Sequence, residues 1–263
     1  MKKTIGYIIA DPTKNYTLLV DTPVPELERP FVAAQLMRAE PFVEQVGFLT
    51  ASVDCDIGLR MAGGEFCGNA AMSAAAYYAK TNRIRKGTVH VRISGAESIV
   101  PTRLHFLGND IFRCTVEMPR HRAIGLLTFD GTELPAVFFN GITHVIVEGG
   151  SVDRTSAETV ACALCESTRS EAVGLMFCYA SGQSMSPFVY VPSVKTAVWE
   201  NSCASGTSAV GIYTAQRENK PVTLSIRQPG GTLSVSASPD SAPLLTGHVR
   251  FSGEKKTITL EYP

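Results

Sequence analysis

Apolar and polar positions along this chain repeat in two rhythms. Val89-His90-Val91-Arg92-Ile93 and Val222-Thr223-Leu224-Ser225-Ile226 alternate strictly, the period of a half-buried strand, and each runs into a glycine turn, at Gly95 and at Gly230-Gly231. Before each of these strands lies a run of small residues, Ala70 to Ala79 and Thr207 to Ala215, which reads as a tightly packed helix. After each comes a further strand pair: Leu104 to Val116 with its Gly108-Asn109-Asp110 turn, and Gly247 to Leu260 with Gly253 between strands. The pattern also predicts a helix over Ser156 to Ser167 and strands over Gly174 to Tyr179 and Phe188 to Val194. The apolar start, Ile5 to Ala10, has the look of a signal peptide, but Asp11-Pro12 cuts it short and it reads as a first strand.

The two small-residue runs are equivalents in a weak internal repeat. Each follows a cysteine, Cys67 or Cys203, and the two cysteines lie 136 positions apart in a chain of 263. Ten residues after each cysteine stands a tyrosine (Tyr77, Tyr213), expected in the core, and twelve after stands an alanine (Ala79, Ala215). The expected fold class is α+β, with two pseudo-symmetric domains, each a mostly antiparallel sheet or barrel wrapped around a central helix. The first domain covers residues 1–118, completed by the last strand at about 255–263, and the second covers 119–254. Between them, at Met118-Pro119-Arg120-His121, strand pattern gives way to polar residues and a proline. The two helix starts are then able to face each other across a cleft.

At those starts, Glu65-Phe66-Cys67-Gly68-Asn69-Ala70 and Glu200-Asn201-Ser202-Cys203-Ala204-Ser205-Gly206-Thr207 each place a thiol before turn-competent residues. Unpaired backbone N–H groups and the positive end of the helix dipole stabilise a thiolate there and attract a carboxylate. One such thiol is a reactive-cysteine candidate; two equivalent ones make an acid and a base of the same residue type. With 44% hydrophobic and 18% charged residues the chain can bury a full core, and 24 basic against 24 acidic residues give no reason to expect nucleic acid. No apolar run reaches the roughly 18 residues of a membrane span. Seven cysteines, an odd number without the density of a disulfide scaffold, point to free thiols in a reducing cytoplasm. Cys162-Ala163-Leu164-Cys165 is a lone pair without a second pair, so no metal site is expected, and Cys55, Cys114 and Cys178 read as core residues.

Taken together, these segments resemble the diaminopimelate epimerase and proline racemase superfamily of cofactor-independent amino-acid racemases and epimerases. Cys67-Gly68-Asn69-Ala70 is similar to that family's Cys-Gly-Asn-Gly, and Cys203-Ala204-Ser205-Gly206-Thr207 to its second Cys-Gly-Thr-Gly. Asn15-Tyr16-Thr17-Leu18-Leu19-Val20, Gly141-Ile142-Thr143-His144-Val145, Pro229-Gly230-Gly231-Thr232-Leu233 and Leu245-Thr246-Gly247 echo it in the same order. The diaminopimelate epimerases carry a Glu-Arg pair ahead of the second cysteine, whose arginine reaches the substrate's distal carboxylate; here Glu200 is kept and Asn201 stands in the arginine's place. A site built to pair a distal carboxylate discriminates by that pairing, so its loss argues for another side chain. The combination looks most like the histidine racemases of the superfamily, which supply D-histidine to opine-type metallophore pathways.

The reaction so implied is inversion of an amino acid's α-carbon, L-histidine to D-histidine, with Cys67 and Cys203 as the two acid–base groups and no cofactor. Backbone N–H groups of Gly68, Asn69, Ala70, Ser205, Gly206 and Thr207 are candidates to hold the α-carboxylate and the charge that develops beside it. Glu200, by family analogy, pairs with the α-ammonium, with Glu65 a second candidate; Asn15 belongs to the family's substrate-binding positions. His144 occupies the family's histidine position, where a substrate contact and a satisfied strand histidine both remain open. The expected partner is a small-molecule amino acid, and the resemblance implies a homodimer. Diaminopimelate epimerase or another amino-acid racemase of the same fold is the alternative, with a non-catalytic amino-acid-binding relative as a further one.

Overall fold

The structure, a computed structural model of the chain, describes residues 2–179, 182–251 and 253–262. Among them, seventeen strands and four α-helices alternate along the sequence. In order these are β1 (Lys2–Pro12), β2 (Thr17–Val20), α1 (Arg29–Ala39), β3 (Gln45–Thr50), β4 (Ile57–Met61), α2 (Gly68–Thr81), β5 (Lys86–Ile93), β6 (Val100–Gly108) and β7 (Ile111–Glu117). There follow β8 (Ala123–Phe129), β9 (Thr132–Phe138), β10 (Ile142–Glu148), α3 (Ala157–Thr168), β11 (Ala172–Tyr179), β12 (Ser184–Val191) and β13 (Thr196–Trp199). The last elements are α4 (Ala204–Glu218), β14 (Val222–Gln228), β15 (Gly231–Ser238), β16 (Ser241–Phe251) and β17 (Lys256–Glu261). The molecule is mostly sheet with few helices, and its contacts divide it into two compact units, residues 1–117 with 246–263 and residues 118–245.

In the first unit eight strands close a ring: β1 through β7 pair in sequence order, and the end of β16 pairs with both β7 and β1. Most pairs are antiparallel, but β2–β3 and β4–β5 are parallel because a helix, α1 or α2, intervenes between each pair. β2 is buried at every position: Leu18 and Val20 turn towards α1 with Ile5, Tyr7, Ile9 and Phe48, and Thr17 and Leu19 turn the other way. On that other side α2 packs against β1, β2, β4, β5, β6 and β7. Only small side chains let a helix lie so close to so many strands, and Ala70, Ala71, Ala74, Ala75, Ala76 and Ala79 are all fully buried.

The second unit pairs β10 with β11 in parallel across α3, and β12 with β14 in parallel, with β13 and α4 between them in sequence. The period of two along β10 and β11 sorts their side chains between two helices. Val145, Val147, Val173, Leu175 and Phe177 pack with α3, whereas Ile146, Met176 and Cys178 pack with α4. His144 shares the parity of Ile146 and so faces α4. Within α4, the hydroxyls of Thr207, Ser208 and Thr214 are satisfied by carbonyls four residues back, which lets polar residues lie in a buried helix.

Several elements differ from the sequence reading. The strand predicted over Phe188 to Val194 stops at Val191, because Pro192 lacks an N–H and opens a 3-10 turn over Pro192–Val194. α1 is not legible in the sequence: its buried strip is only Val32, Ala33 and Leu36, and the further apolar residues Phe31, Ala34, Met37 and Ala39 spread round the helix and blur the stripe. The hairpin β8–β9 was missed because β8 is half-exposed on both faces and shows no clean alternation. β16 runs unbroken through Gly247, where a strand start was expected, since both of its flanks are paired. Tyr77 and Tyr213 are half-buried; the Tyr77 hydroxyl donates to Asp21 at 3.1 Å, and the Arg217 guanidinium lies 5.2 Å from the Tyr213 ring.

The packing of α2 makes a direct prediction. Ala75→Leu forces extra methylene groups into a site with no room and is expected to destabilise the protein by about 1–3 kcal/mol. The midpoint of urea unfolding measures this.

Candidate active site

The start of α2 is built by the loop that precedes it. Cys67 is the N-cap, with extended φ −133° and ψ 115°, and its sulfur accepts the Ala70 N–H at 3.4 Å. The loop lies against the end of β5: Ser94 Oγ donates to the Glu65 carbonyl at 3.1 Å and accepts the Met61 N–H at 2.9 Å. Gly95 follows at φ +73°, and a Cβ there would come within 2.3 Å of the Phe66 nitrogen, so no other residue brings the strand end this close to the cysteine loop. Cys67 is half-buried and Glu65 is exposed, while Gly68 and Asn69 are buried. Asn69 Oδ1 has no hydrogen-bond partner among the described residues. Asn15, in the turn between β1 and β2, is held at both ends of its amide: it donates to Glu44 at 2.5 Å and accepts from Gln45 at 2.6 Å.

The start of α4 is similar and more enclosed. Cys203 is again the N-cap, with φ −122° and ψ 113°, and is 6% exposed. Its backbone N–H donates to Gln228 Oε1 at 2.8 Å, Gln228 Nε2 donates to Thr207 Oγ1 at 2.8 Å, and Thr207 Oγ1 donates to the Cys203 carbonyl at 2.6 Å. This buried ring of hydrogen bonds is complete and fixes the cap. The sulfur lies near the Gly206 N–H without a capping hydrogen bond from it, and 3.6 Å from Ser205 Oγ. Burial pushes the Cys203 thiol well above the ordinary range, the neighbouring Glu200 carboxylate adds to that, and the contacts from Gly206 and Ser205 oppose it. His144 is fully buried behind Ser205, its Nε2 2.9 Å from Ser205 Oγ, and burial depresses it to about 3, so the imidazole is neutral.

Each unit therefore collects part of the candidate set: Cys67, Gly68, Asn69 and Ala70 with Glu65 in the first, and Cys203, Ser205, Gly206 and Thr207 with Glu200 and His144 in the second. The N–H groups of Ala70 and Thr207 are already directed to Cys67 Sγ and the Cys203 carbonyl. Gln228 escaped the sequence reading although it directly precedes Pro229-Gly230-Gly231, and the Gly230 N–H donates to the Asn201 carbonyl at 2.8 Å. Gln45 escaped it too, and only its β-strand neighbourhood with Asn15 and Thr17 reveals it. All seven cysteines are free. Cys114 and Cys178 are buried, with Cys178 pushed up to about 12 by burial, but Cys55 is half-exposed in the loop before β4, a departure from the expected core position. Among the described residues no cluster of three or more metal-ligating side chains occurs, and no helix is long and apolar enough to cross a membrane.

Solved structures share this fold. A hydroxyproline epimerase from Agrobacterium vitis with bound trans-4-hydroxy-L-proline superposes with a TM-score of 0.73 at 13% identity, covering 99% of this chain and 94% of that one. A protein from Pseudomonas aeruginosa described as a predicted epimerase does so with a TM-score of 0.70 at 14% identity, covering 97% of this chain and 99% of that one. The fold is thus shared with these epimerases, and, together with the family and relatives that follow, it makes the protein an isomerase. Residues 4–253 match the family described as the histidine racemase CntK N-terminal domain, and the chain belongs to that family. Similar proteins include a histidine racemase of Fusobacterium nucleatum subsp. nucleatum, 30% identical over 262 residues and covering 97% of this chain and 96% of that protein. Another is a histidine racemase of Staphylococcus aureus, 28% identical over 248 residues and covering 90% of this chain and 89% of that protein.

The buried neutral imidazole predicts a pH dependence of stability. The unfolded chain binds a proton at His144 below about 6.5, and the folded chain does not until about 3. The stability that this group contributes is complete above 6.5 and is lost as the pH falls towards 3, at about 1.4 kcal/mol per pH unit. His144→Gln, which cannot titrate, should lose stability less steeply between pH 6.5 and 5, as measured by urea unfolding; equal slopes in the two proteins would contradict the assignment.

Proposed function

We propose that this protein is a histidine racemase that inverts the α-carbon with Cys67 and Cys203 as its two acid–base groups. The observation that carries the reading is that each of these thiols, and no other cysteine among the described residues, is the extended N-cap of a helix buried along its length, Cys67 Sγ accepting the Ala70 N–H and Cys203 Sγ lying 3.6 Å from Ser205 Oγ. The parallel order of elements in the two units, with a crossover helix between parallel strands twice in each, supports the view that they are pseudo-symmetric halves around α2 and α4. The domain boundary near residue 118, a cytoplasmic setting and a homodimer belong to the same reading and rest on the family resemblance.

In this mechanism one thiolate takes the α-proton and the other thiol gives one to the opposite face, so the two must be in opposite protonation states at the start. Cys203 is suited to begin as the thiol, since burial and Glu200 both favour its neutral form. Glu200 is also the candidate for the substrate's α-ammonium. A bound ammonium offsets the carboxylate's charge and so eases formation of the Cys203 thiolate when the reverse direction requires it. The backbone N–H groups of Gly68, Asn69, Ser205 and Gly206, nearest the helix starts, are the candidates for the α-carboxylate, because those of Ala70 and Thr207 are already engaged. The buried Oδ1 of Asn69 supplies a further acceptor for a substrate N–H. Asn201, in place of the arginine of diaminopimelate epimerases, removes the partner for a distal carboxylate and so favours a side chain without one.

Circular dichroism of L-histidine incubated with the protein in reducing buffer tests this, with LL-diaminopimelate as the comparison. Loss of optical activity with histidine alone is the expected result; a change with diaminopimelate alone overturns the substrate, and no change with either overturns the enzyme reading. Cys67→Ser and Cys203→Ser should each reduce kcat/KM by about 10²- to 10⁴-fold.

A further inference from the structure

His144 is fully buried and is tied to the neighbourhood of Cys203. Its Nε2 is 2.9 Å from Ser205 Oγ, and that oxygen is 3.6 Å from Cys203 Sγ. Its other nitrogen, Nδ1, is buried with no hydrogen-bond partner among the described residues. The ring is wedged against β11, where a Cβ on Gly174 would come within 2.4 Å of Nδ1, and the Phe139 ring meets it edge-on at 5.9 Å between centroids. The imidazole is thus locked, and only its tautomer is left to decide.

The unpartnered Nδ1 decides it. A buried N–H without an acceptor is costlier than a buried lone pair without a donor, so the proton of the neutral ring sits on Nε2. Nε2–H then donates to Ser205 Oγ. A hydroxyl carries one hydrogen, and with its oxygen already accepting from the imidazole that hydrogen is directed to the nearest remaining acceptor, Cys203 Sγ. Among the described residues Glu200 is the charged group that acts on the sulfur, while Met176 of β11 lies against Gly206 and Gln228 of β14 takes the Cys203 backbone N–H. At the start of α2 the position equivalent to Ser205 is Asn69, and Cys67, less buried, has the Ala70 N–H on its sulfur.

We propose that Ser205, oriented by neutral His144, is a positioning residue that holds a hydroxyl hydrogen on Cys203 Sγ and stabilises its thiolate. The proposal rests on the reading of Cys203 as one of the two acid–base thiols. In the step that it serves, the Cα–H bond breaks with its electron pair left on carbon, the proton joins the Cys203 sulfur, and the Ser205 hydrogen stays on its oxygen. The more enclosed thiol thereby gains a hydroxyl donor, which compensates for a burial that Cys67 does not suffer.

The test is the pH profile of kcat/KM for histidine racemisation in the full-length protein. Ser205→Ala should move the limb assigned to Cys203 upward by about one unit, roughly a tenfold loss of thiolate at any pH below it, with KM little changed. Ser205→Thr keeps the hydroxyl and should restore the wild-type limb. His144→Leu should shift the limb in the same direction, whereas His144→Gln, which keeps an N–H donor, should not. A wild-type limb in Ser205→Ala, or equal shifts in the two His144 variants, overturns the proposal. Full activity of Cys203→Ser instead overturns the two-thiol reading beneath it, so the two failures are told apart.

Discussion

A helix buried along its length inside a sheet must still satisfy the N–H groups at its first turn, and in this chain the cap of the two most buried helices is a cysteine. Sulfur is a weak acceptor, and the N–H that it receives in α2 spans 3.4 Å. The first turn therefore stays polarised and points its donors outward rather than exhausting them on its own cap. Alanine and other small residues make the burial possible, extended backbone at the cap turns the chain into the helix, and the strands around each helix hold the preceding loop in place. A thiol beside unspent N–H groups is what a proton-transfer site for an amino acid needs, and in both units it arises from packing rather than from any added element.

The two caps are alike in backbone and unlike in surroundings. Cys67 sits half-buried on a loop fastened by Ser94 and by the close approach of Gly95. Cys203 is enclosed, its backbone clasped by Gln228 and Thr207 and its sulfur set between a carboxylate that disfavours the thiolate and two donors that favour it. Under the proposed mechanism this inequality is useful, since a two-base inversion begins from one thiol and one thiolate. Equal environments would leave their assignment to chance; burial and Glu200 bias it.

Much of this could be read from the residues alone, for physical reasons. The helices α2 and α4 are legible because a run of small residues after a turn has few other ways to pack, and the strands that follow are legible because their alternation is strict. The hairpin at Asn109 and Asp110, with φ of 48° and 57°, is legible because those residue types tolerate the left-handed region. α1 and β8–β9 are not, since a narrow apolar strip and a half-exposed strand carry weak periodicity. Within the candidate site, the cysteines, Glu200 and the N–H-bearing residues are proposed from motif alone. Gln45, Gln228 and the link from His144 to Ser205 do not, because such pairings depend on which strand lies beside which loop.

The central claim is that two thiols, one for each face of the carbon, exchange the α-proton with solvent between turnovers. It is tested most directly by following L-histidine in deuterium oxide at low conversion and analysing each enantiomer by mass spectrometry. The account predicts D-histidine carrying deuterium at Cα while the remaining L-histidine keeps its protium. D-histidine that retains the original proton would contradict it, since a single base must then have carried that proton from one face to the other.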